Sequence, residues 1–291
     1  MPAPSTSADG AAPARVARIS PPRRRPSARR ARRTVGAAAL VTALCLASGC
    51  AGSKLESAKV AKLSYGESAQ AAYERALYEF RKDHCPKAEP GFRAVRREFP
   101  YSRFAALAEL RLADCKFKAK SYAEAIQAYR EFVRFRPSHS QVPYARFRIA
   151  ESYYQQIPSD FFLAPPAYER DQQPTRDALQ HLQRFIADYP DDPRVPEANE
   201  MVMKAMRMLA RHELYVAHFY ARRDDHEAVI RRAKTVINAY AGTGLEPEAM
   251  ALLAHAYDKT GQHAEAREVR ETLVARFPTS EEAKAARRRL R

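Results

Sequence analysis

Apolar residues recur with the period of an α-helix in five separate windows from residue 67 to the C-terminus. Ala72, Leu77 and Phe80 mark one face in the first window, and Leu107, Leu110, Leu112 and Phe117 in the second. Phe147, Ala150, Tyr153 and Tyr154 mark the third, Met201, Met206, Leu209 and Leu214 the fourth, and Leu252, Leu253 and Tyr257 the fifth. Spacings of three and four place such residues on one side of a helix, which then buries that side against a neighbour. The methionines and aromatics of these stripes are therefore read as core, not as a cofactor box.

The windows also repeat one another. Phe80–Pro100 overlays Phe117–Pro137 at an offset of 37 residues, setting Ala88 on Ala125, Phe92 on Tyr129 and Pro100 on Pro137. An offset of 141 adds a third copy, in which Ala266 meets Ala125, Val274 meets Val133 and Pro278 meets Pro137. Looser copies end at Tyr189-Pro190 and Tyr240-Ala241. A small residue, an aromatic four positions later and a closing proline resemble the tetratricopeptide repeat. The small residue lets two antiparallel helices approach, the aromatic fills the groove between them, and proline ends the second helix. Arg270 replaces the aromatic in the last copy, and the chain has no tryptophan. The expected fold is all-α, a right-handed superhelix of about five helix pairs. Repeats one to three span 67–190, and repeats four and five span 191–291. Two places break the period. Ile157–Pro174 is an insertion between the helices of repeat three, and repeat four opens with a long helix from about Pro196 to beyond Tyr220.

The N-terminus has a different character. Residues 1–33 are rich in Pro, Ser and Arg, and the apolar run Val35–Leu46 follows Arg29, Arg30, Arg32 and Arg33. A basic stretch followed by an apolar run too short to span a membrane reads as a secretory signal. Its end, Leu46-Ala47-Ser48-Gly49-Cys50, resembles the bacterial lipobox, although Ala47 stands where leucine is usual. The resemblance implies cleavage after residue 49 and a diacylglycerol and an N-acyl chain on Cys50. The alternative is an ordinary signal peptide with a chance cysteine. Ala51, in place of the Asp that retains lipoproteins at the inner membrane, implies the periplasmic face of the outer membrane. Residues 50–66 read as a lipid-anchored flexible tether, and the membrane is expected to be reached through lipid alone.

Composition narrows the function. The net charge is +16, but residues 1–49 carry nine Arg against one Asp, which leaves +8 for the rest. That remainder is interleaved with acids along helices, so a solvated surface is the better reading than a nucleic-acid stripe. Only 9 glycines occur, three of them before residue 50, which disfavours a phosphate-cradling fold. The eight histidines form no H-x-x-x-H or H-E-x-x-H, so no metal or other cofactor is expected. No serine sits in G-x-S-x-G, and no nucleophile has a plausible base, so the chain is expected not to be an enzyme. Cys85 and Cys115 remain as an even pair once Cys45 leaves with the signal and Cys50 is acylated. Repeat geometry puts Cys85 at the start of one helix and Cys115 near the end of its antiparallel neighbour. A disulfide is one reading, and two buried free thiols the other.

Lipobox, tether and five repeats together resemble the BamD family of lipoproteins, which serve the machinery that folds β-barrels into the outer membrane. Beyond the generic repeat, the likeness rests on F-V-R-F-R-P-S-H at 132–139 with Tyr144, on the insertion with Phe161-Phe162 and Arg170-Asp171, and on H-E-L-Y-V-A-H-F-Y-A-R-R at 212–223 leading into A-V-I-R-R at 228–232. The resemblance implies a non-catalytic adapter. Its first repeats would bind the terminal strand of unfolded outer-membrane proteins in a groove, here with Tyr73, Tyr78, Arg111, Tyr144 and Arg148 as candidates. Its last repeats would dock on a BamA-like barrel subunit beside other assembly lipoproteins, here through Arg222, Arg223, Arg231 and Arg232. Plain core packing and a solvated helix face are the respective alternatives. Two rival functions are a repeat protein of the Tol–Pal division system, which normally carries a coiled coil that residues 51–66 do not show, and a cell-envelope enzyme.

Overall fold

The computed structural model describes the backbone from Ser53 and the side chains from Ser64 onward, to Arg291. The signal segment and the lipidation candidate Cys50 lie outside the described residues. Eleven α-helices and one short 3₁₀ turn make up the described chain. They pair as α1 (Ser53–Arg81) with α2 (Cys85–Glu98), α3 (Arg103–Lys118) with α4 (Tyr122–Phe135), and α5 (Val142–Tyr154) with α6 (Gln173–Asp188). There follow α7 (Val195–Ala221) with α8 (His226–Ala239), α9 (Glu246–Lys259) with α10 (His263–Arg276), and a last helix α11 (Glu281–Leu290). Each helix packs on its chain neighbours, as a tetratricopeptide-like array requires. Helix α1 already begins at Ser53, inside the stretch read as a tether. From Ser53 onward that stretch has no proline and only Gly66 as a breaker, so Ala, Leu, Lys and Glu can carry the helix through it.

Recurrent local chemistry sets the helix ends. Pro stands in the first turn of α2, α5, α6, α7 and α9, where its missing N–H costs nothing. Ser102, Asp225 and Ser280 cap α3, α8 and α11 by accepting backbone N–H groups. The turn inside a pair passes through one left-handed residue: Asp83, Lys120, Asp224 and Gly261 in repeats one, two, four and five. Three of these are not glycine and carry a strain of roughly 1 kcal/mol each. Repeat three uses the insertion instead.

Cores form between successive pairs. Phe92, Tyr129, Phe185, Val236 and Leu273, one from the second helix of each pair, are each 2% exposed or less. Small residues permit the close packing. A Cβ on Gly91 of α2 would stand 2.8 Å from that of Ala76 on α1. Cys85 and Cys115 are joined across α2 and α3, with Cα atoms 5.4 Å apart.

Candidate functional site

A connected polar assembly lies in the core between α3, α4 and α5. Arg111 and Asp114 stand three apart on α3, and Tyr144, Arg148 and Glu151 follow at spacings of four and three on one face of α5. Tyr129, the repeat aromatic of α4, sits between them. Asp114 is 1% exposed and is the hub. It accepts from Arg111 Nη1 at 2.5 Å, from Tyr144 Oη at 2.7 Å and from the hydroxyl of Tyr129. Arg148 Nε stands 3.9 Å from the same carboxylate, and its Nη1 donates to Glu151 at 2.6 Å. The Arg148 guanidinium also lies 3.7 Å from the centre of the Phe117 ring. Arg111 and Arg194 flank Tyr144 at 5.7 and 5.4 Å.

Burial decides the electrostatics. It raises the Tyr129 and Tyr144 phenols well above their ordinary value, with Asp114 adding to the shift, so both are donors at any physiological pH. Burial also raises Glu151, against the pull of Arg148. Burial works against the charge of Arg111 as well, but Asp114 beside it holds the guanidinium protonated. Arg111 Nε is buried with no hydrogen-bond partner among the described residues. Two arginines thus face two carboxylates, Asp114 and Glu151, and each guanidinium is held in a fixed position by its own partner.

Of the candidate groove residues, Arg111, Tyr144 and Arg148 come together here. Tyr73 is 7% exposed, packs on Phe92 and Phe104, and adds to the field on Arg111. Tyr78 does not join them. It is 58% exposed and meets Lys82, whose ammonium donates to its hydroxyl at 2.6 Å. Five residues, about 1.4 turns, separate it from Tyr73, which is enough to turn it to another face. Sequence reading missed Asp114, Tyr129 and Glu151 as site members. The signal available was an acid at the inner face of a helix beside a stripe of core residues.

The other resemblance-bearing segments do structural work. In 132–139, Phe132 is buried and Arg136 grips Glu109 of α3 with two bonds of 3.0 Å. The insertion is held by Gln172, 1% exposed, which donates to the carbonyls of Ala167 and Arg170 and accepts from Thr175. His212 Nδ1 donates to the Tyr168 carbonyl at 2.7 Å, and Tyr215 packs on the Tyr168 ring. Glu213 accepts from Arg232 at 3.0 Å and Glu248 pairs with His218 at 2.9 Å. Residues 212–218 therefore tie the insertion, α8 and α9 to α7.

The four docking candidates divide. Arg222, Arg223 and Arg231 are exposed. Arg223 lies over the Phe219 ring at 3.6 Å. Arg232 is not a free surface charge, because its guanidinium is spent on Glu213 across α7 and α8. Adjacent helical residues point about 100° apart, which turns Arg232 toward α7 and leaves Arg231 outward. Among the described residues, no group of three or more His, Cys, Asp or Glu is placed to hold a metal, and no helix is long and apolar enough to cross a membrane.

Residues 66–273 match the family described as YfiO, outer membrane lipoprotein. The chain is 26% identical over 229 residues to the outer membrane protein assembly factor BamD of Neisseria meningitidis serogroup A, covering 76% of this chain and 84% of that one. It is 29% identical over 248 residues to BamD of Caulobacter vibrioides, covering 85% and 77%. Its identity to BamD of Pasteurella multocida is 28% over 173 residues, covering 57% and 65%.

Proposed function

The chain belongs to the YfiO family of outer membrane lipoproteins, and on that footing we propose that it is a non-catalytic adapter in outer-membrane β-barrel assembly. In this reading Cys50 carries the acyl chains that hold it at the periplasmic face of the outer membrane. Two or more chains suffice for that, whereas one binds only marginally. Repeats one to three take an extended segment of an unfolded barrel protein, and repeats four and five hold a BamA-like barrel subunit.

The observation that supports the peptide-binding half is the cluster around Asp114. It is a rigid assembly of two arginines and two tyrosines held by the buried Asp114 carboxylate, and the two arginine side chains stay partly exposed. Such a surface pairs with a terminal carboxylate through the guanidiniums and stacks on an aromatic side chain. The docking half rests on the exposed Arg222, Arg223 and Arg231 beside the long helix α7, a basic face suited to a folded acidic domain.

The test separates the two halves. Tyr144→Phe with Arg148→Lys keeps size and charge but removes the hydroxyl and the forked donor. It is expected to weaken a peptide ending in Phe about tenfold, which corresponds to about 1.4 kcal/mol, and to spare the barrel subunit's periplasmic domain. Arg223→Glu with Arg231→Glu is expected to do the reverse, with an effect that grows at low salt. Both affinities are read by calorimetric titration. Equal loss of both ligands in each variant, with helix content intact, sinks the division.

A further inference from the structure

An offset of 141 residues lays α4 on α10 end to end, Tyr122 on His263 and Phe135 on Arg276, and sets left-handed Lys120 on left-handed Gly261. Core positions agree in this register. Ala125 and Ala266 are both fully buried, as are Ala113 and Ala254 to within 2%. Helix α11 is then the counterpart of α5, and Arg289 the counterpart of Arg148.

The two copies differ in what fills them. In the first, Leu110, Phe132 and Tyr144 belong to one packed cluster between α3, α4 and α5. The same three positions in the second are Ala251, Leu273 and Ala285, each smaller. Protein interiors are close-packed, so lost side-chain volume that the backbone does not absorb persists as space. That space is a cavity of about 260 Å³ between α9, α10 and α11, lined by these three residues with His255, Arg270 and Arg289. It exceeds the engineered apolar cavity of roughly 150 Å³ that accommodates benzene.

We propose that this cavity is a docking pocket for an aromatic side chain of a partner protein, which takes from outside the place that Tyr144 takes from within. The first copy argues for the occupant, since there a tyrosine ring completes the packing and Arg148 lies 5.9 Å from its centre. Arg289 keeps a cationic face available for the incoming ring. Its side chain is 61% exposed and stands 3.7 Å from Asp258, a carboxylate already engaged by Arg270. His255 stands where Asp114 binds the hydroxyl of Tyr144, and an imidazole nitrogen accepts from a tyrosine hydroxyl as well. None of these residues belongs to the peptide cluster of repeats one to three, so the pocket stands or falls apart from that reading.

p-Cresol, the tyrosine side chain severed at Cβ, is the probe. Titrated into the mature chain and followed by methyl NMR, it is expected to shift resonances of α9, α10 and α11. Ala285→Tyr, which fills the pocket from within, is expected to abolish that response and raise the unfolding midpoint. Should the tyrosine variant not fold, Ala285→Met is the blocker. Tyr144→Ala is expected to leave the C-terminal response in place, and 4-methylcyclohexanol, of like size without an aromatic ring, to bind at least about fivefold more weakly. An unchanged response in the blocked variant overturns the pocket. Equal binding of the two probes overturns the aromatic assignment. Dissociation of a dimer on adding p-cresol would assign the ring to a second copy and overturn a separate partner.

Discussion

Asp114 and Asp258 lie near the ends of the first helices of repeats two and five, each beside two arginines, but their surroundings differ. Asp114 has a side chain 2% exposed and is met by Arg111, Tyr129, Tyr144 and, at longer range, Arg148. The Asp258 side chain is 27% exposed and is shared by Arg270, Arg289 and His263. One repeat register thus carries a closed polar core near one end and a half-open one near the other. The difference follows from ring count: Phe117, Tyr129 and Tyr144 seal the first site, and Asp258, Arg270 and Ala285 occupy those positions in the second. A sealed hub fixes the geometry of the partly exposed Arg111 and Arg148 side chains around it. A half-open one leaves volume and charge for something else.

The sharpest way to break this contrast is to remove each carboxylate. Asp114→Ala leaves Arg111 and two phenols without their acceptor in a largely buried site, and is expected to cost about 3–5 kcal/mol. Asp258→Ala leaves Arg289 and His263 with access to water and strands only the buried Arg270, so it is expected to cost less, about 2 kcal/mol. Urea denaturation of both variants checks this, and equal losses would show that closure is not what separates the two sites.

Next in size is the bridge from Cys85 to Cys115, which links α2 to the helix that carries Asp114. With its ends 30 positions apart in sequence, it is expected to contribute roughly 3 kcal/mol by restricting the unfolded chain. Reduction should therefore lower the unfolding midpoint. Thiol labelling of denatured, unreduced protein checks the bridge directly, with no labelling expected at either position.

A smaller effect concerns pH, where the two sites should have opposite signs. Burial raises Asp258, but the hydrogen bond and charge of Arg270 outweigh it, so its folded pKa lies below the ordinary 3.8. Its stabilisation is complete above that value and is lost as pH falls through the folded pKa. Burial holds Glu151 above its ordinary 4.5. The folded state then binds that proton more tightly than the unfolded one, so ionisation costs stability as pH rises through the unfolded value toward the folded one. Asp258→Asn should remove a loss seen only below about pH 4, and Glu151→Gln a decline beginning near pH 4.5. Denaturant midpoints from pH 3 to 7 measure both.

Much of the fold is legible without coordinates. The apolar spacing and the alanine-aromatic-proline register place the ten paired helices, the insertion and the long α7, because helix faces and helix ends are local properties of the chain. The pairing of Cys85 with Cys115 is within reach for the same reason, since both lie at helix ends of adjacent pairs. The site was only partly legible. Arg111, Tyr144 and Arg148 could be named, but Tyr78 turns to another face and Arg232 is committed to Glu213. The residue that organises the cluster, Asp114, reads in sequence as one more acid on an amphipathic helix. Its bonds to Tyr129 and Tyr144 span 15 and 30 residues. Hydrophobic periodicity specifies which side of a helix is buried. Which polar groups meet there, and whether a ring or a cavity lies between them, depends on side chains from three helices arriving at one place, and only the packed structure determines that.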